Sequence, residues 1–350
     1  MRFLFFIPDT PVARGGISVT LDVIDVLNAH GVPALAIYDR PDFEYDIHTI
    51  RAPRIWSTSM RRPRETSGLK NKARLVRDVA YGRNKRPPKN AEPCNEWVRQ
   101  DGDVLVVPEW VSEWMPDKLP KDLPLILFNQ NPFSMLYAYV KPGFDKDNYV
   151  TSLTISEACS AASRMALGTD PVTFPLYISD DLYSYQPDKA FQIAYMPRKR
   201  GAEATALVKT LQAEPRIKDI PFVPIDGVTT SEAAHLIRES LFFLSFSDRE
   251  GFGLPPAEAM ATGGVVIGYA GVGGDEFFDE TTGFPIPENN VTHFFEETVR
   301  IVSGYRDHPE GLDDLRRNAS RIITQRYNRA NFDAGVLDAF SKIERLIRGW

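Results

Sequence analysis

The sequence predicts two doubly wound α/β domains of Rossmann type, facing each other across a cleft. Three observations carry that prediction. Short continuous apolar runs, the mark of parallel strands buried on both faces, recur along the chain. Amphipathic stretches separate them, so the order is strand, loop, helix, repeated. The alternation lapses once, in a stretch near 175–190 rich in Pro, Tyr and Asp, and then restarts. A chain of 350 residues has room for two cores of ordinary size.

In the first half, residues 2–7 read as a strand and 18–28 as an amphipathic helix, which His30 and Gly31 end. Residues 33–38 are the next strand. After a basic segment come short apolar runs at 103–107, 125–128 and 152–155. Ser156 then caps a helix beginning at Glu157, and 172–174 closes the half. The second half reads strand 192–195, helix 202–211, strand 222–225, helix 231–238, strand 241–246, helix 256–261 and strand 265–269. This places a first domain at 1–178 and a second at 179–330. In such folds ligands sit beyond the carboxyl ends of the strands, so the loops that leave strands are where chemistry is sought.

Composition is that of a globular protein, 43% hydrophobic and 25% charged. Two cysteines, Cys94 and Cys159, build neither a disulfide framework nor a zinc site, so a reducing, cytoplasmic setting is expected. The apolar start meets Pro8 at once, too early for a signal peptide or a membrane span. A net charge of −6 argues against a nucleic-acid binder. Charge is unevenly spread: residues 51–89 hold thirteen Lys or Arg against two acids, which leaves −17 for the rest. That segment suggests peripheral contact with an anionic membrane or acceptor, or else a solvated loop.

The most specific stretch is 248–264, DREGFGLPPAEAMATGG. Glu250 leaves a buried strand, and Glu258 follows eight residues on, in the first turn of a helix opened by Pro255 and Pro256. Gly251 and Gly253 let backbone N–H groups approach a ligand, and the helix start adds a partial positive charge suited to phosphate. A carboxylate can accept from both hydroxyls of a ribose. Taken singly, each acid could be an ordinary loop or helix-start residue. A second cluster, Arg198, Lys199 and Arg200, follows a strand directly and could neutralise a diphosphate.

The 248–264 block resembles the E-x7-E signature of retaining GT-B glycosyltransferases, family 4 (glycosyl transferases group 1). Further stretches are similar to that family's: Gly15 and Gly16 before a helix, the Ile155-Ser156-Glu157 step, the glycine-rich turn 271–276 ending in Glu276, and Thr282-Gly283. The resemblance implies a GT-B fold with a final helix, about 331–350, packing back on the first domain. It implies that Glu258 binds the donor ribose, while Glu250 and the backbone of Phe252, Gly253 and Leu254 hold the transferred sugar and its phosphates. Arg198 would match the family's usual arginine, with Lys199 or Arg200 in the role of a later lysine.

The expected reaction is transfer of a hexose from a nucleotide diphosphate sugar to a hydroxyl of a glycan or lipid-linked acceptor, with retention and without metal or other cofactor. The departing phosphate oxygen would take the incoming proton. No His/Cys cluster of metal-ligand spacing appears. One departure concerns the first domain, where many relatives carry a His after the strand at 124–128. Here Asn129-Gln130-Asn131 precede Pro132, and they read as acceptor-side residues or as a turn. Glu109, after the strand at 104–107, faces the same expected cleft as a base, an acceptor ligand or a plain loop acid. Two rival functions remain: a GT-B-fold sugar-nucleotide epimerase and a non-catalytic nucleotide-sugar binder.

Overall fold

The computed structural model describes residues 1–8, 15–45, 52–61, 91–112, 114–308 and 310–350. Most of the basic segment 51–89, and with it the expected anionic contact, lies outside the described residues.

Two parallel sheets organise the chain. The first contains β1 (Arg2–Phe6), β2 (Ala34–Tyr38), β3 (Arg54–Trp56), β4 (Asp103–Pro108), β5 (Leu125–Asn129), β6 (Thr151–Thr154) and β7 (Val172–Thr173). Its strand order is β3-β2-β1-β4-β5-β6-β7. The second contains β8 (Ala190–Tyr195), β9 (Phe222–Pro224), β10 (Ser240–Phe246), β11 (Val265–Tyr269) and β12 (Phe284–Pro285), in the order β12-β11-β10-β8-β9. Every strand pairing among the described residues is parallel; β1, for example, sets Phe3 beside Ala34 and Val104. The central strands β1, β4, β5 and β10 are almost wholly buried, which is why they read as unbroken apolar runs.

Helices cover the sheets. Among the described residues of the first half they are α1 (Gly15–Ala29), α2 (Pro132–Tyr139) and α3 (Glu157–Leu167). Ser156 caps α3 by accepting from the Cys159 amide, and Gly168, at φ 73°, ends it. In the second half α4 (Gly201–Ala213), α5 (Thr230–Glu239), α6 (Leu254–Ala261), α7 (Val291–Asp307) and α8 (Glu310–Arg326) surround the smaller sheet. The last helix, α9 (Arg329–Gly349), returns to the first sheet and packs against α1 and β7. Phe340 meets Phe3 edge-on at 4.8 Å between ring centroids, and Phe332 lies 5.8 Å from Phe174. Five elements are absent from the sequence reading: β3, α2 and β12, which are too short for periodicity to show, and the helices α7 and α8, which are amphipathic and rich in polar residues. Among the described residues no helix is long and apolar enough to cross a membrane.

Candidate active site

Both sheets turn their carboxyl ends toward one cleft. Strand order reverses between β1 and β4 in the first sheet and between β8 and β10 in the second. Loops leaving such strand pairs diverge and open a crevice. The first crevice is bordered by Gly15 at the start of α1 and by the turn Glu109–Val111 after β4. The second is bordered by the turn Pro197–Lys199 after β8 and by the loop that carries Glu250 after β10.

Lys199 and Glu250 meet across the second crevice, with Nζ 3.1 Å from Oε1. The loop holding Glu250 is tightly built. The Glu250 amide donates to the Gly271 carbonyl at 3.0 Å, and the Gly273 amide donates back to the Glu250 carbonyl at 3.2 Å. The turn leaves no room for side chains: a Cβ on Gly273 would stand 2.3 Å from the Gly251 and Phe252 backbone. Arg249, just before Glu250, sits at φ 49°, a strained conformation for a residue with a Cβ.

Gly253, at φ 95°, turns the chain into α6, whose first turn carries two prolines. Leu254 opens the helix, and its Cδ1 lies 3.4 Å from where a Cβ on Gly15 would be. Two helix starts, one from each domain, therefore approach each other in the cleft. Phe252 is buried and packs on Phe277 and Tyr327, so only its backbone is available to a ligand. Glu258 lies half-buried one turn into α6. Burial pushes its carboxyl up to about 7, a bond from the Tyr183 hydroxyl pulls it back, and the nearby Glu250 adds to the rise. Arg198 is exposed and has no hydrogen bond or ion pair among the described residues.

Other residues singled out in the sequence are engaged elsewhere. Arg200 spends all its donors on protein: Ser247 O, Glu203, Asn289, Asp248 and Glu288. Its guanidinium also stacks over Tyr269 at 4.3 Å. This is a brace joining three loops, not a free phosphate ligand. Glu276 accepts from the Glu157 amide at 3.1 Å and from the Tyr327 hydroxyl at 2.9 Å. It thereby caps α3 of the first domain from the second.

The triplet replacing the expected His serves the turn. Asn129 is fully buried and donates to Cys159 O and Ser163 Oγ, both at 2.9 Å, while its carbonyl accepts from the Asn131 amide. Asn131 caps α2 and donates to Arg249 O at 2.8 Å, across the domain interface. Gln130 points its amide nitrogen at Gly16 O (3.1 Å), and its own backbone carbonyl abuts Gly251. Asn129 and Asn131 are consumed by local turn geometry and packing, whereas the Gln130 side-chain oxygen is buried without a hydrogen-bond partner among the described residues.

Glu109 is buried at the end of β4. Burial raises its carboxyl to about 7, opposed by bonds from backbone amides, including that of Gln130, and from Ser134. Two D-x-D triplets occur in the sequence, and neither is at the cleft. Asp103 pairs with Arg2 at the opposite end of β4, and Asp145 caps a short turn. Among the described residues no three His, Cys, Asp or Glu side chains converge as a metal site. A cavity of about 430 Å³ opens beside the start of α3, between Ser156, Glu276 and Arg326; Glu250, Glu258 and Lys199 do not line it.

Sequence reasoning missed Tyr183, Trp110 and Tyr137. Tyr183 lies in the segment between the sheets and reaches Glu258 only through the fold. Trp110 and Tyr137 stand on the first domain beside the cleft, in elements too short for periodicity to resolve.

Residues 224–321 match the family model described as glycosyl transferases group 1. A curated relative, the alpha-1,6-glucosyltransferase of Actinobacillus pleuropneumoniae serotype 7, is 27% identical over 256 residues, covering 69% of this chain and 75% of that protein. Among solved structures, HepE of Anabaena in complex with UDP superposes with a TM-score of 0.61 at 14% identity, over 98% of this chain and all of that one. Sucrose-phosphate synthase from Thermosynechococcus elongatus gives 0.65 at 14% identity over the whole of both chains. TarM of S. aureus gives 0.64 at 10% identity, over 99% of this chain and all of that one. The fold of this chain is GT-B.

Proposed function

We propose that this protein is a retaining, metal-independent glycosyltransferase that moves a hexose from a nucleotide diphosphate sugar to a hydroxyl of a glycan or lipid-linked acceptor. The observation that carries the reading is the Lys199–Glu250 pair at the switch point of the second sheet, with Glu258 one helical turn behind it. In this reading Glu258 accepts from the ribose hydroxyls, and the start of α6 faces the diphosphate. Glu250 holds hydroxyls of the transferred sugar. Arg198, which has no partner among the described residues, and Lys199, once it leaves Glu250, neutralise the departing diphosphate. In this reading the two cations supply the charge neutralisation that a metal would otherwise provide. Gly15 and Gly16 bring the start of α1 to the same place from the other domain. The departing phosphate oxygen takes the acceptor proton on the face where the new bond forms, so the protein supplies position and charge.

UDP-glucose is the first donor to test, because relatives are a glucosyltransferase and a protein solved with UDP and glucose. Purified protein is mixed with UDP-glucose and an oligosaccharide acceptor in EDTA, and UDP release and thermal stability are followed. Binding at a hundred times the dissociation constant adds about 2.7 kcal/mol of stability. NMR of the glycoside product then reads the anomeric configuration. A product of inverted configuration, or turnover abolished by EDTA, would falsify the corresponding part of the proposal.

A further inference from the structure

The first domain presents an aromatic lip beside the Glu250 loop that the donor reading does not use. Trp110 follows Glu109 at the carboxyl end of β4 and is 40% exposed, and its ring rests 5.9 Å from Phe6 at the end of β1. Tyr137 is 68% exposed on α2. It lies one turn beyond Ser134, which bonds Glu109, and it is close enough to Arg249 to act on that guanidinium electrostatically. The turn bearing Trp110 packs directly against α2. Arg249 reaches the same place from the second domain, held by its ion pair with Asp248 and by Asn131 bonding its carbonyl.

We propose that Trp110, Tyr137 and Arg249 form a platform for a neutral oligosaccharide, the acceptor, whose reacting end abuts the sugar held by Glu250. The proposal rests on the donor reading above. Three features favour a saccharide. The lip is continuous with the cleft through Arg249, the residue next to Glu250 in the chain. Trp110 and Tyr137 expose flat aromatic rings, which suit the C–H faces of pyranose rings. Tyr137 carries a hydroxyl and Arg249 a nearby guanidinium, polar partners of the kind that sugar hydroxyls need. The Phe6 ring beneath Trp110 and the short packed turn fix that side chain before the ligand arrives, so little ordering cost falls on binding.

The test is saturation-transfer NMR on the full chain, with and without UDP, against isomaltotriose, maltotriose, cellotriose, a mannotriose and a galactotriose. Binding of at least one of them is expected, with affinity falling fivefold or more in Tyr137→Ser and in Trp110→Leu, and unchanged in Val98→Ser on a remote surface. Tyr137 is so exposed that its replacement leaves the fold intact, which covers the case where Trp110→Leu is unstable. UDP binding, read by thermal shift, should persist in both variants. Oligosaccharide binding that ignores both substitutions, or no binding from the whole panel, overturns the platform. So does adsorption of wild type to phosphatidylcholine vesicles that Tyr137→Ser abolishes. Failure of wild type to bind any nucleotide would instead remove the donor reading beneath it.

Discussion

The ammonium of Lys199 lies 3.1 Å from a carboxylate oxygen of Glu250, joining the loops that leave β8 and β10. Lys199 is 40% exposed, and a pair so open to solvent contributes roughly 0–1 kcal/mol to stability. Its value must lie elsewhere. Glu250→Gln is expected to lower kcat about 10²–10³-fold while melting within a few degrees of wild type. Lys199→Ala should lower kcat similarly. Turnover of UDP-glucose together with a melting curve for each variant checks this; a large loss of stability with normal turnover would show a purely structural pair.

Glu258 gives the cleft a pH dependence. Its carboxyl, raised from 4.5 to about 7, is favoured by the fold in its protonated form. Its contribution to stability is therefore complete below about 4.5 and lost as pH rises through 7. Glu258→Gln should melt higher than wild type at pH 8 and equally at pH 4.5. Nucleotide affinity should move the other way, rising through pH 7 as the ionised carboxylate becomes able to accept from both ribose hydroxyls. Titration calorimetry with UDP across pH 5.5–8.5 reads it.

Tyr183 positions that acid. Its hydroxyl bonds Glu258 and favours the ionised form. Removing it in Tyr183→Phe should move the midpoint of UDP binding to higher pH and weaken binding at pH 7 by about fivefold, the worth of roughly 1 kcal/mol. At pH 9 the variant should bind nearly as wild type does. A deficit independent of pH would point to lost packing instead.

Gly251 packs directly against the backbone of the first domain. A Cβ there would stand 2.0 Å from the Gln130 carbonyl, a backbone atom that cannot step aside. Gly251→Ala should hold the domains apart, increasing the radius of gyration in solution scattering and lowering kcat at least tenfold. Unchanged scattering and turnover would mean that the two loops part readily.

Arg200 separates a brace from a ligand. With its side chain 10% exposed and acids on three sides, Arg200→Met leaves Glu203, Asp248 and Glu288 facing each other. The expected loss is about 3 kcal/mol of stability, seen in urea unfolding. A mere drop in UDP affinity with stability intact would restore the phosphate role.

The division between what was legible and what was not follows sequence separation. Buried parallel strands announce themselves because each is apolar on both faces, whatever its neighbours. The 250–258 arrangement is equally local: a strand exit, glycines that permit a tight turn, and a proline-opened helix whose first turn carries an acid all lie within one short stretch. The residues that read differently in three dimensions have distant partners. Asn129 is consumed by Cys159 and Ser163, Glu276 by the start of α3, and Arg200 by loops that end at Asp248 and Asn289. A polar side chain in a loop looks available until the fold supplies its acceptor. Sequence by itself determined the fold class and the local geometry of the acidic loop, because both arise from short-range backbone preferences and burial. Tertiary structure alone decided which charged groups remain free, because that depends on what long-range packing brings within hydrogen-bond reach.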